Sequence, residues 1–317
     1  MKRIGAIALA IILGINILTC CKHTVSNEKT SIVCTIFPQY DWVRQILGDN
    51  AGDLDLILLI KNNIDLHSYQ PSFDDIGRIS TCDLFIYVGG ESDRWVEDAL
   101  KKATNENMVV INLLEELGNA AKAEEIKEGM EVEDVEEEEV YDEHVWLSLR
   151  NARIFCAVIA DALSSMDPGN AADYENNLRA YTGKLESLDE EYRAAVDAAS
   201  VKTLLFGDRF PFRYLADDYG LDYYAAFVGC SAETEASIKT IVFLAEKADE
   251  LNLKSIMVTE SSNYELAETI VRESKGKNQQ ILALNAMQSV SANDAENGVT
   301  YLSIMESNLN VLKAALK

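Results

Sequence analysis

The chain has 317 residues, 48% of them apolar, and a formal net charge of −25 from 28 Lys and Arg against 53 Asp and Glu. Such an acidic chain has nothing with which to neutralise a phosphate backbone, so nucleic acid is excluded as a partner. Its length suits two domains of ordinary size or one large one.

The N-terminus reads as an address. Met1-Lys2-Arg3 is a basic start, and GAIALAIILGINIL (5–18) is uncharged and apolar. That run matches the core of an export signal and falls short of the ~20 residues that a permanent membrane helix needs. It ends in Leu18-Thr19-Cys20-Cys21, which resembles a bacterial lipobox with Cys21 as the lipidated residue, although Cys20 stands where Gly or Ala is usual. The plainer alternative is an ordinary cleaved signal that contains cysteines. Residues 1–20 are therefore expected to be signal and 21–30 a lipidated tether.

From Ser31 short β-branched runs alternate with amphipathic ones, the pattern of strands and helices in turn. SIVCTIF (31–37), DLILLI (55–60), LFIYVGG (84–90) and VVINL (109–113) read as strands. A helix is expected over 151–164. The stretch from Asp167-Pro168 to Ser200 has no strand, and Tyr174, Leu178, Tyr181, Leu185, Leu188, Tyr192 and Val196 recur at helical steps along it. A single apolar stripe on a helix of about 30 residues spans roughly 45 Å. It reads as a coiled-coil arm or, more simply, as a strut joining two lobes. The strand rhythm restarts with TLLFG (203–207), YYAAF (223–227), SIMVTE (255–260) and ILALN (281–285), and a last helix carries Tyr301, Met305, Leu309, Leu312 and Leu316. The expected fold is α/β: an N-terminal lobe over 31–166, a linking helix over 167–200 and a C-terminal lobe over 201–317.

Residues 124–143 hold twelve acids against one lysine and read as a solvated loop, serving solubility or, in a sharper reading, collecting cations. Cys34, Cys82, Cys156 and Cys230 show no metal-ligand spacing. Two disulfides are conceivable in an exported chain, but cysteines scattered in apolar runs are more often buried thiols.

Ligands of open α/β sheets bind beyond the carboxyl ends of the strands, so the polar residues there are the candidates. His67 follows the second strand, in a loop pinned by Pro71 and by a Ser72/Asp75 helix cap. His144 follows the fourth strand, ahead of Val145-Trp146-Leu147. Asp208, Glu260 and Asn285 stand at strand ends of the second half.

These residues carry a resemblance. D-L-H-S-Y-Q-P-S-F-D-D (65–75), Y-D-E-H-V-W-L-S-L-R-N-A (141–152), F-G-D-R-F-P-F-R-Y-L (206–215) before Y-G-L (219–221), V-T-E (258–260), L-A-E-T-I (266–270) and G-V-T-Y-L-S-I-M-E-S-N-L (298–309) are similar to the cluster A-I substrate-binding proteins of metal ABC transporters. The match runs from about Thr35 to the C-terminus. It implies two α/β lobes joined by a long helix, with a metal in the cleft and His67 and His144 as its first two ligands. Imidazole nitrogen suits a borderline-soft transition ion, and carboxylates add charge. The chain departs from the family at Gly207, where relatives have His or Glu nearby, and at Asn285, where they have Asp. Asp208 and Glu260 are the nearest replacements, which gives an expected donor set of His67, His144, Glu260, Asp208 and Asn285.

The resemblance implies a monomeric, lipid-anchored capture protein on the outer face of the cell membrane. It would bind zinc, or else manganese, deliver it to the membrane subunits of an ABC permease, and catalyse nothing. Two alternatives are a surface metallohydrolase, for which no H-E-x-x-H or activated nucleophile is present, and a degenerate, adhesin-like member that has lost its metal, motivated by Gly207 and Asn285.

Overall fold

A computed structural model describes residues 29–61, 64–131, 140–231 and 235–317. The expected signal and the lipidation residue Cys21 lie outside the described residues. Among the described residues, no helix is long and apolar enough to cross a membrane.

Two four-stranded parallel sheets form the lobes. The first contains β1 (Ser31–Cys34), β2 (Asp55–Leu58), β3 (Leu84–Tyr87) and β4 (Val109–Asn112) in the order β2-β1-β3-β4. The second contains β5 (Thr203–Phe210), β6 (Asp222–Val228), β7 (Ser255–Thr259) and β8 (Gln280–Leu284) in the order β6-β5-β7-β8. The same topology thus occurs twice. Helices cover both faces of such sheets, which is why β1 and β7 are buried almost without alternation.

All eight expected strands are present, with shifted ends. β1 stops at Cys34 because a helix begins at Phe37 with a proline in its first turn, where the missing N–H costs nothing. β5 runs three residues beyond Gly207, through a register irregularity between Phe206 and Arg209. Asp208 therefore lies within a strand and not after one.

The expected strut is the helix Ala171–Asp197, 27 residues and about 40 Å long. It begins later than expected because the Pro168-Gly169 turn intervenes. There Asp167 accepts hydrogen bonds from Asn170 Nδ2 (2.7 Å) and the Tyr174 hydroxyl (2.8 Å). The stripe Tyr174, Tyr181, Leu185, Leu188, Tyr192 and Val196 is buried. It packs on the helices Phe37–Leu47, Leu149–Met166 and Tyr301–Ala315, so the strut touches elements from both ends of the chain. Hydrogen bonds cross in the same region, from the Tyr192 hydroxyl to the Met305 carbonyl (2.6 Å) and from the Tyr301 amide to Asp41 (2.9 Å).

The acidic segment differs from expectation at both ends. The Glu131 amide donates to the Ala226 carbonyl (2.8 Å) beside β6, the Thr240 hydroxyl donates to the Gly129 carbonyl (2.9 Å), and Glu125 takes Arg213 and the Tyr223 hydroxyl. Met130 is buried, and so are Asp142 and Glu143. Residues 124–131 are strapped across the C-terminal lobe, and 140–143 lead into the interior. Acidic composition did not prevent docking because the strap uses backbone groups and paired carboxylates. Cys34, Cys82, Cys156 and Cys230 are free thiols.

Candidate metal centre

The loop after β2 makes a single 3₁₀ turn, Leu66–Ser68, before extending through Tyr69 towards Pro71. Asp65 caps that turn, its Oδ1 accepting from the His67 amide (3.0 Å), while its Oδ2 is held by Arg209 of β5. Ser72 and Asp75 form the expected reciprocal cap of the next helix. The loop bearing His67 is therefore fixed at both ends, once by its own lobe and once by the other.

His144 arrives from the opposite side, directly before the buried turn Val145–Leu147. Asp142 Oδ1 accepts from both its amide and its Nδ1 (2.8 Å each). The Nδ1 of His67 contacts the Ser92 hydroxyl (2.8 Å) and lies 3.5 Å from Glu143, whose other oxygen accepts from the Ser92 amide (2.8 Å). Gly90 makes room for that carboxylate: at its φ of +81° a Cβ would stand 2.5 Å from Glu143 Oε1. Asp142 thus fixes the His144 ring directly, while Ser92, itself held by Glu143, fixes the His67 ring, and both rings turn Nε2 forward.

The two Nε2 atoms face each other at 3.1 Å. Tetrahedral zinc with its usual bonds to nitrogen needs a separation of about 3.3 Å. The pair is nearly at the spacing an ion requires. Burial lowers the pKa of His67 to about 3 and of His144 to about 4, so both rings are neutral, the form that binds metal. Burial also raises Asp142 and Glu143 to about 7 each.

Among the described residues, Asp208 and Glu260 do not join His67 and His144 in a group whose ligand atoms all lie within 4.8 Å of one another. Asp208 is occupied by the Thr259 amide (2.9 Å) and hydroxyl (2.7 Å) and by the Arg209 amide. Glu260 accepts from the amides of Ala286 (2.8 Å) and Gln288 (3.1 Å) and from the Ser289 hydroxyl. Asn285 accepts from the Met287 amide (2.7 Å). Asp208 thus spends its oxygens on the end of β7 and on its own neighbour, and Glu260 and Asn285 spend theirs on amides of the turn after β8 that need acceptors. Gly207 offers no place for a ligand either. A Cβ there would lie 2.7 Å from the Ala267 Cα of the helix Glu265–Glu273.

Sequence reasoning missed two residues. Cys230 brings its sulfur within 4.8 Å of the donor atoms of His67 and His144, and among the described residues these three form the group of His, Cys, Asp or Glu placed to hold a metal. The Gln288 amide nitrogen lies 3.0 Å from His67 Nε2 and 2.8 Å from His144 Nε2. Both follow strand ends, Cys230 after β6 and Gln288 after β8, so the rule that singled out the histidines pointed to them too. Beside the pair opens a cavity of about 290 Å³, bordered by Asp65, His67, Asp208, Arg209 and Ser261.

A family description, the zinc-uptake complex component A, periplasmic, matches residues 32–315. The chain is 31% identical over 290 residues to the high-affinity zinc uptake system protein ZnuA of Bacillus subtilis, covering 92% of this chain and 88% of that one. It is also 31% identical over 323 residues to the zinc-binding lipoprotein AdcA of Streptococcus pneumoniae, covering 99% of this chain but only 61% of that longer protein. Among solved structures it resembles the metal-dependent lipoprotein YcdH of Bacillus subtilis (TM-score 0.73, 30% identity, 91% of this chain and 99% of that chain). It likewise resembles the Zn(II)-bound ZnuA-like domain of Streptococcus pneumoniae AdcA (TM-score 0.71, 29% identity, 91% and 99%).

Proposed function

The chain belongs to the zinc-uptake complex component A family of periplasmic proteins, and on that premise we propose that it captures zinc on the facing nitrogens of His67 and His144 and hands the ion to the membrane subunits of an ABC importer. It is the zinc-binding, extracytoplasmic component of a metal-uptake system. The observation that carries the site is the pair of Nε2 atoms 3.1 Å apart, each ring backed by a buried carboxylate. Tight, reversible coordination by protein groups suits transport, and the family is one of transport components. Zinc is the metal named for the relatives, so manganese and the metal-free, adhesin-like reading are not favoured. A lipid on Cys21, attachment to the outer face of the membrane and a monomeric state belong to the same proposal.

Zinc titration of the His67→Ala and His144→Ala variants tests it. Losing a ligand should exceed the roughly 10–100-fold cost of losing a group one bond further out. Near-native affinity in either variant would overturn the site.

A further inference from the structure

We infer that Cys230, as thiolate, is the third zinc ligand and that the Gln288 amide oxygen is the fourth, so that the site discriminates zinc from harder divalent ions. The inference rests on the proposed zinc capture and adds what neither the family resemblance nor the relatives' names assign.

Three independent features converge on it. The first is placement: the donor atoms of His67, His144 and Cys230 lie within 4.8 Å of one another. The second is how the thiol is brought there. The Cys230 amide is tied to Glu124 Oε1 (3.0 Å), and a Cβ on the preceding residue, Gly229, would stand 2.9 Å from the Phe210 carbonyl and 3.1 Å from the His144 ring. Only a glycine lets this loop lie against the imidazole. The third is Gln288, which is 7% exposed. His144 Nδ1 faces Asp142 and His67 Nδ1 faces the Ser92 hydroxyl; with the ring protons on those Nδ1 atoms, the two Nε2 atoms present lone pairs to each other, an arrangement that needs a cation or a donor between them. The Gln288 NH₂ lies within hydrogen-bonding distance of both, while its Oε1 is buried without a hydrogen-bond partner. The amide is thus poised against both imidazoles. Turning over about its last bond exchanges donor for acceptor and offers Oε1 to the metal. Glu260, by holding the amides of Ala286 and Gln288, is a positioning residue for this group.

Two imidazoles, a thiolate and an amide oxygen make a donor set of borderline to soft character, which suits zinc and is poor for manganese, whose preference is for oxygen. Binding releases the thiol proton to solvent as the metal–sulfur bond forms.

The test uses the full chain loaded with Co(II), which takes zinc sites and reports sulfur ligation by a thiolate-to-cobalt charge-transfer absorption in the near ultraviolet. That band should be present, and Cys230→Ser should abolish it. The same change should weaken zinc binding by roughly 100-fold or more, above the cost of losing a partner outside the coordination sphere, and leave manganese affinity nearly unchanged. Gln288→Ala should keep the band and weaken zinc binding by roughly 100-fold, as the loss of a ligand does. A cobalt complex that depends on His67 and His144 but lacks the band would overturn the thiolate assignment and leave zinc capture standing. Unchanged zinc affinity in Gln288→Ala would overturn the amide half. Failure of the unaltered chain to bind zinc or cobalt would overturn both this inference and the function on which it rests. Equal metal-free melting temperatures for the chain and its variants separate lost coordination from lost folding.

Discussion

At the scale of single residues, the site is governed by the pairing of each histidine with a carboxyl group. Asp142 and Glu143 are pushed up to about 7 by burial, and the rings in front of them are depressed by the same cause. An ion on Nε2 keeps the ring proton on Nδ1, where Asp142 accepts it from His144 directly and Glu143 lies 3.5 Å from His67, so a positive ion favours the ionised form of both carboxyls and drives protons off them. The sign follows: below pH about 7 protons compete with zinc, and apparent affinity rises as the pH is raised through that value. Titration calorimetry in buffers of different ionisation enthalpy should show more protons released per zinc at pH 6 than at pH 8. Equal release at both would mean that the two carboxyls are already ionised in the metal-free chain.

At the scale of elements, the acidic strap is the feature that composition hid. Residues 124–131 link the chain leaving the first sheet to β6 and to the helix Ile238–Glu250, through the Glu131 amide, the Gly129 carbonyl and buried Met130, and Glu124 also ties down Cys230. Replacing 124–131 with a Gly/Ser segment of equal length should therefore lower the melting temperature of the metal-free chain. The lost hydrogen bonds are worth about 1 kcal/mol each, and a buried Met side chain adds about 1.5–3 kcal/mol. An unchanged melting temperature would show that the segment is only a solvated loop. Elsewhere the elements follow local rules. Pro38 fixes the end of β1, and the Ser72/Asp75 cap fixes the start of its helix, both from groups a few residues apart.

For the whole molecule, the lobes do not have separate cores. One apolar cluster runs from Ile32 and Phe85 of the first sheet through Trp146 and Tyr192 to Phe206 and Tyr301, while a second, smaller one around Leu205, Leu244 and Ile256 covers the far face of the second sheet. Trp146 Nε1 donates to the Ala286 carbonyl (2.9 Å), and the Tyr301 hydroxyl donates to the Trp146 carbonyl (2.7 Å) in the same interior. Opening the cleft widely would expose this shared core, so metal uptake must proceed with small displacements. Calorimetry of the metal-free chain should give one cooperative transition, and zinc at a thousandfold excess over its dissociation constant should add about 4 kcal/mol to stability. Two resolved transitions would mean that the lobes fold independently.

The strands, the long helix and the two histidines were legible in the sequence because each rests on short-range signals: β-branched runs, a stripe at helical spacing, and a cap a few residues from His67. The remaining donors were not. Asp208, Glu260 and Asn285 had the right chemistry and stood near strand ends, yet their oxygens are taken by Thr259, by the Ala286–Ser289 turn and by Met287. Cys230 and Gln288 also follow strand ends, but nothing in their spacing sets them apart from other polar residues there, and they reach His67 and His144 only where the ends of β6 and β8 meet the other lobe. Sequence by itself determined which segments form strands and helices, and it singled out the two histidines that the fold brings face to face. Tertiary structure alone decided which acceptors were already spent on backbone amides and which were free to face the ion, because that depends on contacts between residues as far apart as His67 and Gln288.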